Sequence, residues 1–288
     1  MITKIVNLYE YFGLEKPENA EGNLEVLIPH THPSQYYNCA RPAVLVLPGG
    51  GYEYTSDREA EPVAFKFLAQ GYSAFVLRYT CAPATYPVAF REAAMAMVYI
   101  RENYKEYDLM PDKVLAIGFS AGGHLCGCLA TLTGDSALDF LGDKKPLAKP
   151  DACGLMYPVI TSTRKSHAGS INNISGGDEK LKEFLSLENR VTKDSVPAYI
   201  FATNMDACVP SKNALLMACA YDENGVPFTL HILEKGHHGL SVNDLTSDAP
   251  ETLLEREPTS PANYNDWLPQ IFTWLTERGF TIKTISKK

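Results

Sequence analysis

VLAIGFSAGGHLCGCLATL, residues 114 to 132, runs an apolar strand into an apolar helix through Gly118-Phe119-Ser120-Ala121-Gly122. The five residues spell G-x-S-x-G. A serine placed this way sits on a sharp turn with strained backbone. Its neighbours two residues away on either side must lack side chains so that strand and helix can approach, and its hydroxyl stands clear above a sheet. Five-residue matches arise by chance; here the strand before and the helix after supply the context that chance would not. Ala121 opens the helix, so its backbone N–H points with the helix dipole toward the space the serine faces, which suits an oxyanion.

Working outward, strand-like and helix-like patterns alternate. Short apolar runs of the kind buried parallel strands show lie at 24 to 28, 43 to 47, 73 to 78, 114 to 119, 153 to 159, 198 to 203 and 228 to 233. Between them Ala60, Val63, Ala64, Phe67 and Leu68 follow a helical period that Gly71 stops. Ala93, Ala96, Met97, Ile100 and Tyr104 repeat the pattern, with Pro87 placed to open that helix. A βαβ order over most of the chain implies a mainly parallel central sheet covered by helices on both faces. Ligands of such sheets gather at the carboxyl ends of the strands.

The 288 residues are read as one α/β domain, 1 to 288, with a small excursion at about 161 to 195 that begins polar and Gly-rich and then forms a short helix around Leu181 to Leu187. A loop, DAPETLLEREPTSPAN, precedes a last helix around Trp267 to Arg278. A net charge of −8 with scattered Lys and Arg disfavours nucleic acid and anionic membranes as partners. The amino-terminal stretch lacks an apolar signal core and no run approaches the roughly 20 apolar residues of a membrane span, so a cytoplasmic protein is expected. Seven cysteines at irregular spacing fit no disulfide framework. Cys126 and Cys128 would point about 200° apart on a helix, as small core residues rather than metal ligands. No cofactor or metal is expected, and self-association is left open.

A serine hydroxyl needs a base, and the base needs a partner that fixes its tautomer. In this kind of sheet the acid and then the histidine should follow, each at the end of a later strand. AYIFATNMDACVP puts Asp206 just past a strand, with Val209-Pro210 leading into the next helix. FTLHILEKGHHGL puts His237 and His238 in a Gly-bounded turn after the following strand. His238, one residue deeper and next to Gly239, is favoured, although spacing alone separates the two only thinly. His231 falls inside a strand, His30 and His32 near the start, His167 in the excursion, and His124 one helical turn after Ser120, where a ring packs. Asp222, Asp244 and Asp248 do not stand at a strand's end before a helix.

VLVLPGGGYEY, residues 44 to 54, ends another strand in three glycines. Such a turn can cradle phosphate, aim N–H groups at an oxyanion, or merely turn. PGGGYEYTSD has neither the Lys and Ser or Thr of a P-loop nor G-x-G-x-x-G, so nucleotide binding falls away.

In order along about two hundred residues, LPGGGY, GFSAGGHL, NMDACVP and KGHHGL resemble the α/β-hydrolase fold, specifically the bacterial esterase and lipase group with its acetyl-xylan esterases and other sugar-ester deacetylases. SDREAEPVAF and LSLENRVTKDSVPAYIF also resemble that group. The resemblance implies Ser120 as nucleophile, Asp206 and His238 as its partners, and the N–H groups of Gly50, Gly51 and Ala121 as the oxyanion hole, with Gly49 making the turn. It strengthens His238, because the group's histidine directly precedes the glycine of its turn. Pro48 stands where an HGGG motif has histidine, and His237 where that turn often has glycine. The implied activity is a serine carboxylesterase acting through an acyl-enzyme on short-chain, above all acetyl, esters of xylo-oligosaccharides or other plant sugars. An open site with no large cap domain goes with it; Tyr52, just after the glycines, and Tyr79 are candidates either to line its alcohol side or simply to pack. The alternatives are a prolyl-oligopeptidase-like peptidase, whose propeller domain has no counterpart here, and a hydrolase-fold protein that binds without chemistry.

Overall fold

The computed structural model describes residues 1–30, 38–163, 165–249 and 267–285. His32 and most of the loop from Asp248 to Asn263 lie outside the described residues. All seven expected strands form: β2 Asn23–Ile28, β3 Asn38–Leu47, β4 Ser73–Arg78, β5 Leu109–Phe119, β6 Ala152–Met156, β7 Ala198–Thr203 and β8 Phe228–Leu233. Two further strands, β1 Ile2–Asn7 and β9 Lys283–Ile285, were not read from the sequence. The order is β1-β2-β4-β3-β5-β6-β7-β8, with β9 antiparallel to the start of β3. From β4 to β8 all neighbours are parallel, while β1 and β2 run antiparallel at one edge.

Each apolar run serves two cores, because successive strand side chains point to opposite faces. Ala43, Leu45 and Leu47 of β3, Phe75 and Leu77 of β4, and Val114 and Ala116 of β5 pack on one side. Helices α1 Leu8–Phe12, α3 Val88–Glu102, α4 Ala121–Thr131 and α7 Lys212–Glu223 contribute to that core. Val44, Val46, Ala74, Val76, Leu115 and Ile117 face the other way, toward α2 Glu61–Ala69 and α8 Trp267–Glu277. Cys126 and Cys128 are buried in the first core. No described helix is long and apolar enough to cross a membrane.

Several expected boundaries move, β3 and β5 beginning already at Asn38 and Leu109, ahead of the apolar runs expected at 43 and 114. β6 stops at Met156 rather than Val159, because Tyr157 turns the chain with φ 35° and Pro158 has no N–H to offer the ladder. In the excursion, α5 Ala168–Ser175 forms within the polar stretch, and α6 Glu179–Phe184 takes the place of the helix expected around 181 to 187. The only large apolar residues of α5, Ile171 and Ile174, are buried, so tertiary packing decides a helix that composition did not announce.

β3 and β5 lie side by side, and the turn after β5 is pressed against the end of β3. A Cβ on Gly118 would lie 2.0 Å from the Gly122 carbonyl oxygen, and one on Gly122 would lie 2.1 Å from that of Leu47. Between them Ser120 is held at φ 53° and ψ −115°, a region that side chains rarely enter. Gly118→Ala should therefore cost about 1–3 kcal/mol in urea unfolding. An unchanged midpoint would show that strand and helix need no such approach.

Candidate active site

Four strand ends supply the site. β5 ends at Ser120, β7 leads to Asp206, β8 leads to the turn holding His238, and β3 leads to the glycines at 49 to 51. The Ser120 Oγ lies 2.8 Å from the His238 Nε2, and the His238 Nδ1 lies 2.6 Å from the Asp206 Oδ2. The other oxygen of Asp206 accepts the N–H groups of Cys208 and Val209 at 2.9 and 2.8 Å. Asp206 is thereby fixed by its own following turn and is 5% exposed. A carboxylate on Nδ1 leaves the proton there, so the Nε2 lone pair faces the serine hydroxyl. His237 does not compete. Its Nδ1 lies 2.5 Å from the His238 carbonyl oxygen, directed along its own turn rather than toward Ser120.

Beside Ser120 opens a cleft of about 310 Å³, lined by Gly50, Gly51, Tyr54, Arg58, His167 and His238 among others. Among the described residues, none accepts a hydrogen bond from the N–H of Gly50, Gly51 or Ala121. Gly50 and Gly51 have φ of 118° and 68°, while Gly49 does not. The turn is therefore made by Gly50 and Gly51, and Gly49 has a different task from the expected one. A Cβ there would meet the Glu59 Oε2 at 2.4 Å and the Ser120 Cβ at 3.1 Å. Gly49 lets the turn lie against the serine.

Residues 31–220 match the BD-FAE family. The chain belongs to that family of α/β-hydrolases. Endo-1,4-beta-xylanase B of Butyrivibrio fibrisolvens is 36% identical over 70% of this chain and 33% of that protein. Acetylxylan esterase of Xylanibacter ruminicola is 29% identical over 68% of this chain and 40% of that protein. The matched region thus spans a third to two fifths of these curated relatives. Among solved structures, the acetyl ester-xyloside bifunctional hydrolase from Caldicellulosiruptor lactoaceticus aligns with a TM-score of 0.80 at 30% identity, over 96% of this chain and 97% of that one.

In this BD-FAE domain two expected substrate contacts are withdrawn. Tyr52 and Tyr79 are 2% and 1% exposed and lie beneath the cleft, not in its wall. The Tyr79 hydroxyl donates to the Pro48 carbonyl at 2.6 Å, and the Tyr52 hydroxyl donates to the His124 Nδ1 at 2.9 Å. The tyrosine that reaches the cleft is Tyr54, 61% exposed. Pro48 gains an account from the same contact. It follows the end of β3 and lends its carbonyl to Tyr79. His124 packs as expected, with its Nε2–H donating to the Leu185 carbonyl at 2.9 Å.

The residues that sequence reasoning missed support this constellation from behind. The 3₁₀ turn Asp57–Glu59 reaches both the glycine turn and the histidine turn. Glu59 accepts the Gly49 N–H at 2.9 Å and the Tyr157 hydroxyl at 2.7 Å, and that hydroxyl accepts the Ser241 N–H at 2.9 Å. Burial pushes the Glu59 carboxyl up, opposed by the bonds from Tyr157 and Gly49. The Tyr157 ring stands edge-on to His238, centroids 5.2 Å apart. Arg58 donates to the carbonyls of Gly239 and Ser247 at 3.1 and 3.0 Å and pairs with Asp248. Only SDREAEP pointed here, and a charged loop reads as exposed surface until its burial is seen.

Tyr157→Phe would strand the Ser241 N–H in the interior, so a loss of about 1–3 kcal/mol is expected in urea unfolding. Burial pulls the His124 ring from 6.5 down to about 4. The folded protein holds it neutral, so its contribution to stability is complete above about 6.5 and is lost as pH falls toward about 4. Urea midpoints should decline through that window, and His124→Gln should flatten the decline. An identical pH dependence in the variant would contradict the assignment.

Proposed function

We propose that the chain is a serine carboxylesterase that removes short acyl groups, acetyl foremost, from sugar esters such as acetylated xylo-oligosaccharides. The observation that carries this reading is the unbroken relay from Asp206 through His238 to Ser120, at 2.6 and 2.8 Å, beside backbone donors that find no acceptor among the described residues. In this reading the His238 Nε2 takes the hydroxyl proton as the Ser120 Oγ bonds to the ester carbonyl carbon. The N–H groups of Gly50, Gly51 and Ala121 receive the oxyanion, at the start of α4 where the helix dipole favours negative charge. Collapse of the tetrahedral adduct breaks the ester C–O bond, and His238 returns the proton to the departing alcohol. Water then repeats the sequence on the acyl-serine and releases the acid. Asp206 holds the ring and stabilises its charged form without taking the proton.

The substrate class rests on the character of the cleft and on the relatives. Glu53, Ser56, Arg58 and His167 place polar and charged side chains in the lining, which suits a hydroxylated alcohol. Names such as acetylxylan esterase and acetyl ester-xyloside hydrolase among the relatives point the same way.

Ser120→Ala should remove at least 10³-fold in kcat on p-nitrophenyl acetate while leaving the unfolding midpoint unchanged, and it should abolish labelling by a fluorophosphonate probe. Labelling elsewhere, or near-normal turnover, would assign the chemistry to another residue or favour a ligand-binding role. Across p-nitrophenyl esters of rising chain length, kcat/KM should be highest at acetate. A preference for long acyl chains would overturn the deacetylase reading.

A further inference from the structure

His167 comes from the excursion between β6 and β7, yet its ring lines the cleft together with Ser120 and His238. Its orientation is set by the start of α5. The His167 Nδ1 accepts the backbone N–H of Ser170 at 3.2 Å, capping the helix, and lies 2.8 Å from the Ser170 Oγ. A backbone N–H can only donate, so Nδ1 is the unprotonated nitrogen and Nε2 carries the hydrogen. Ser170 is fully buried, which rules the pair out as a second nucleophile and base.

The helix behind this ring is fastened to the oxyanion loop. The Asn173 Nδ2 donates to the Gly51 carbonyl at 2.9 Å, and a Cβ on Gly51 would lie 4.0 Å from the His167 Cε1. The root of the excursion is held by Asn213, whose side chain accepts the N–H groups of Ile160 and Thr161 and donates to the Lys165 carbonyl. The ring is thus mounted on supported backbone beside the site of attack. No hydrogen-bond acceptor for the His167 Nε2 is found among the described residues. Burial holds the ring below the usual imidazole range, and the nearby His238 adds to this while Asp206 opposes it. With Nδ1 accepting from the Ser170 N–H, the hydrogen the ring has to offer is the one on Nε2.

We propose that the His167 Nε2–H binds the alcohol half of the substrate, donating to a hydroxyl or ring oxygen of the sugar. This rests on the ester-hydrolysing reading above. An acetyl group has one oxygen outside the ester link, the carbonyl, and the three backbone donors take it. A further fixed donor in the cleft is therefore matched by the sugar. The excursion then sets which alcohols are accepted, while the sheet supplies the chemistry.

The test compares kcat and KM of the full chain on acetylated xylo-oligosaccharides and on p-nitrophenyl acetate, whose alcohol has no sugar oxygens. His167→Asn keeps a side-chain cap for α5 but cannot reach the cleft, and His167→Phe keeps the ring volume but has no N–H. Both should raise KM for the oligosaccharide and lower its kcat/KM about tenfold more than that for p-nitrophenyl acetate, the effect of one lost hydrogen bond. An equal change on both substrates, or none on either, overturns the inference alone. A wild-type protein that cleaves p-nitrophenyl acetate and no acetylated sugar overturns the substrate reading, and the inference falls with it.

Discussion

The contact on which this molecule depends is the one between backbone and backbone where α4 meets the end of β3. Gly122 lies so close to the Leu47 carbonyl that no side chain fits between, and Gly118 is equally close to Gly122. That proximity forces Ser120 into its strained conformation and fixes the start of α4 against the neighbouring strand. The hydroxyl, the first N–H groups of the helix and the glycine turn after β3 meet at one point because two glycines permit it. The buried strands on either side, each feeding two cores, supply the rigidity that keeps the strain in place.

Much of this was legible because it is local. A strand, a serine between glycines and an apolar helix occupy nineteen consecutive residues, and the βαβ rhythm fixes which ends of the strands share a face. Asp206 and the His237-His238 turn stand out for the same reason, each following its strand, while the choice of His238 over His237 leaned on the family resemblance; the structure brings Asp206 and His238 together with Ser120. The two residues chosen as alcohol contacts failed for an instructive cause. Tyr52 and Tyr79 flank the right motifs, but φ of 58° at Tyr52 swings its ring under the turn, and a positive φ at a non-glycine residue has no signature in sequence. Two residues on, Tyr54 emerges instead.

The remainder was illegible because it is made by distant partners. Glu59 sits in a stretch of charge, SDREAEP, whose solvated appearance is contradicted only when Gly49 and Tyr157 close over it. α5 carries two isoleucines in a polar octet and forms because Ile171 and Ile174 find apolar neighbours and Asn173 finds the Gly51 carbonyl. The short edge strands β1 and β9 likewise owe their existence to β2 and β3, not to a pattern of their own.

The turn at Asp57–Glu59 carries an implication for how such domains diversify. The side chains of Arg58 and Glu59 hold the glycine turn through Gly49, the histidine turn through Gly239 and Ser241's partner Tyr157, and the segment beyond through Ser247. Loops on this face are therefore not interchangeable parts. Lengthening the segment after β3, or grafting a relative's histidine loop, would shift a shared fastening point and carry the disturbance across the cleft. The excursion bearing α5 touches the Gly51 carbonyl but bonds to neither Arg58 nor Glu59 among the described contacts. Its own anchors include the Gly51 carbonyl, which accepts from Asn173, and the His124 ring, which donates to the Leu185 carbonyl, so an exchange of the excursion has to keep both.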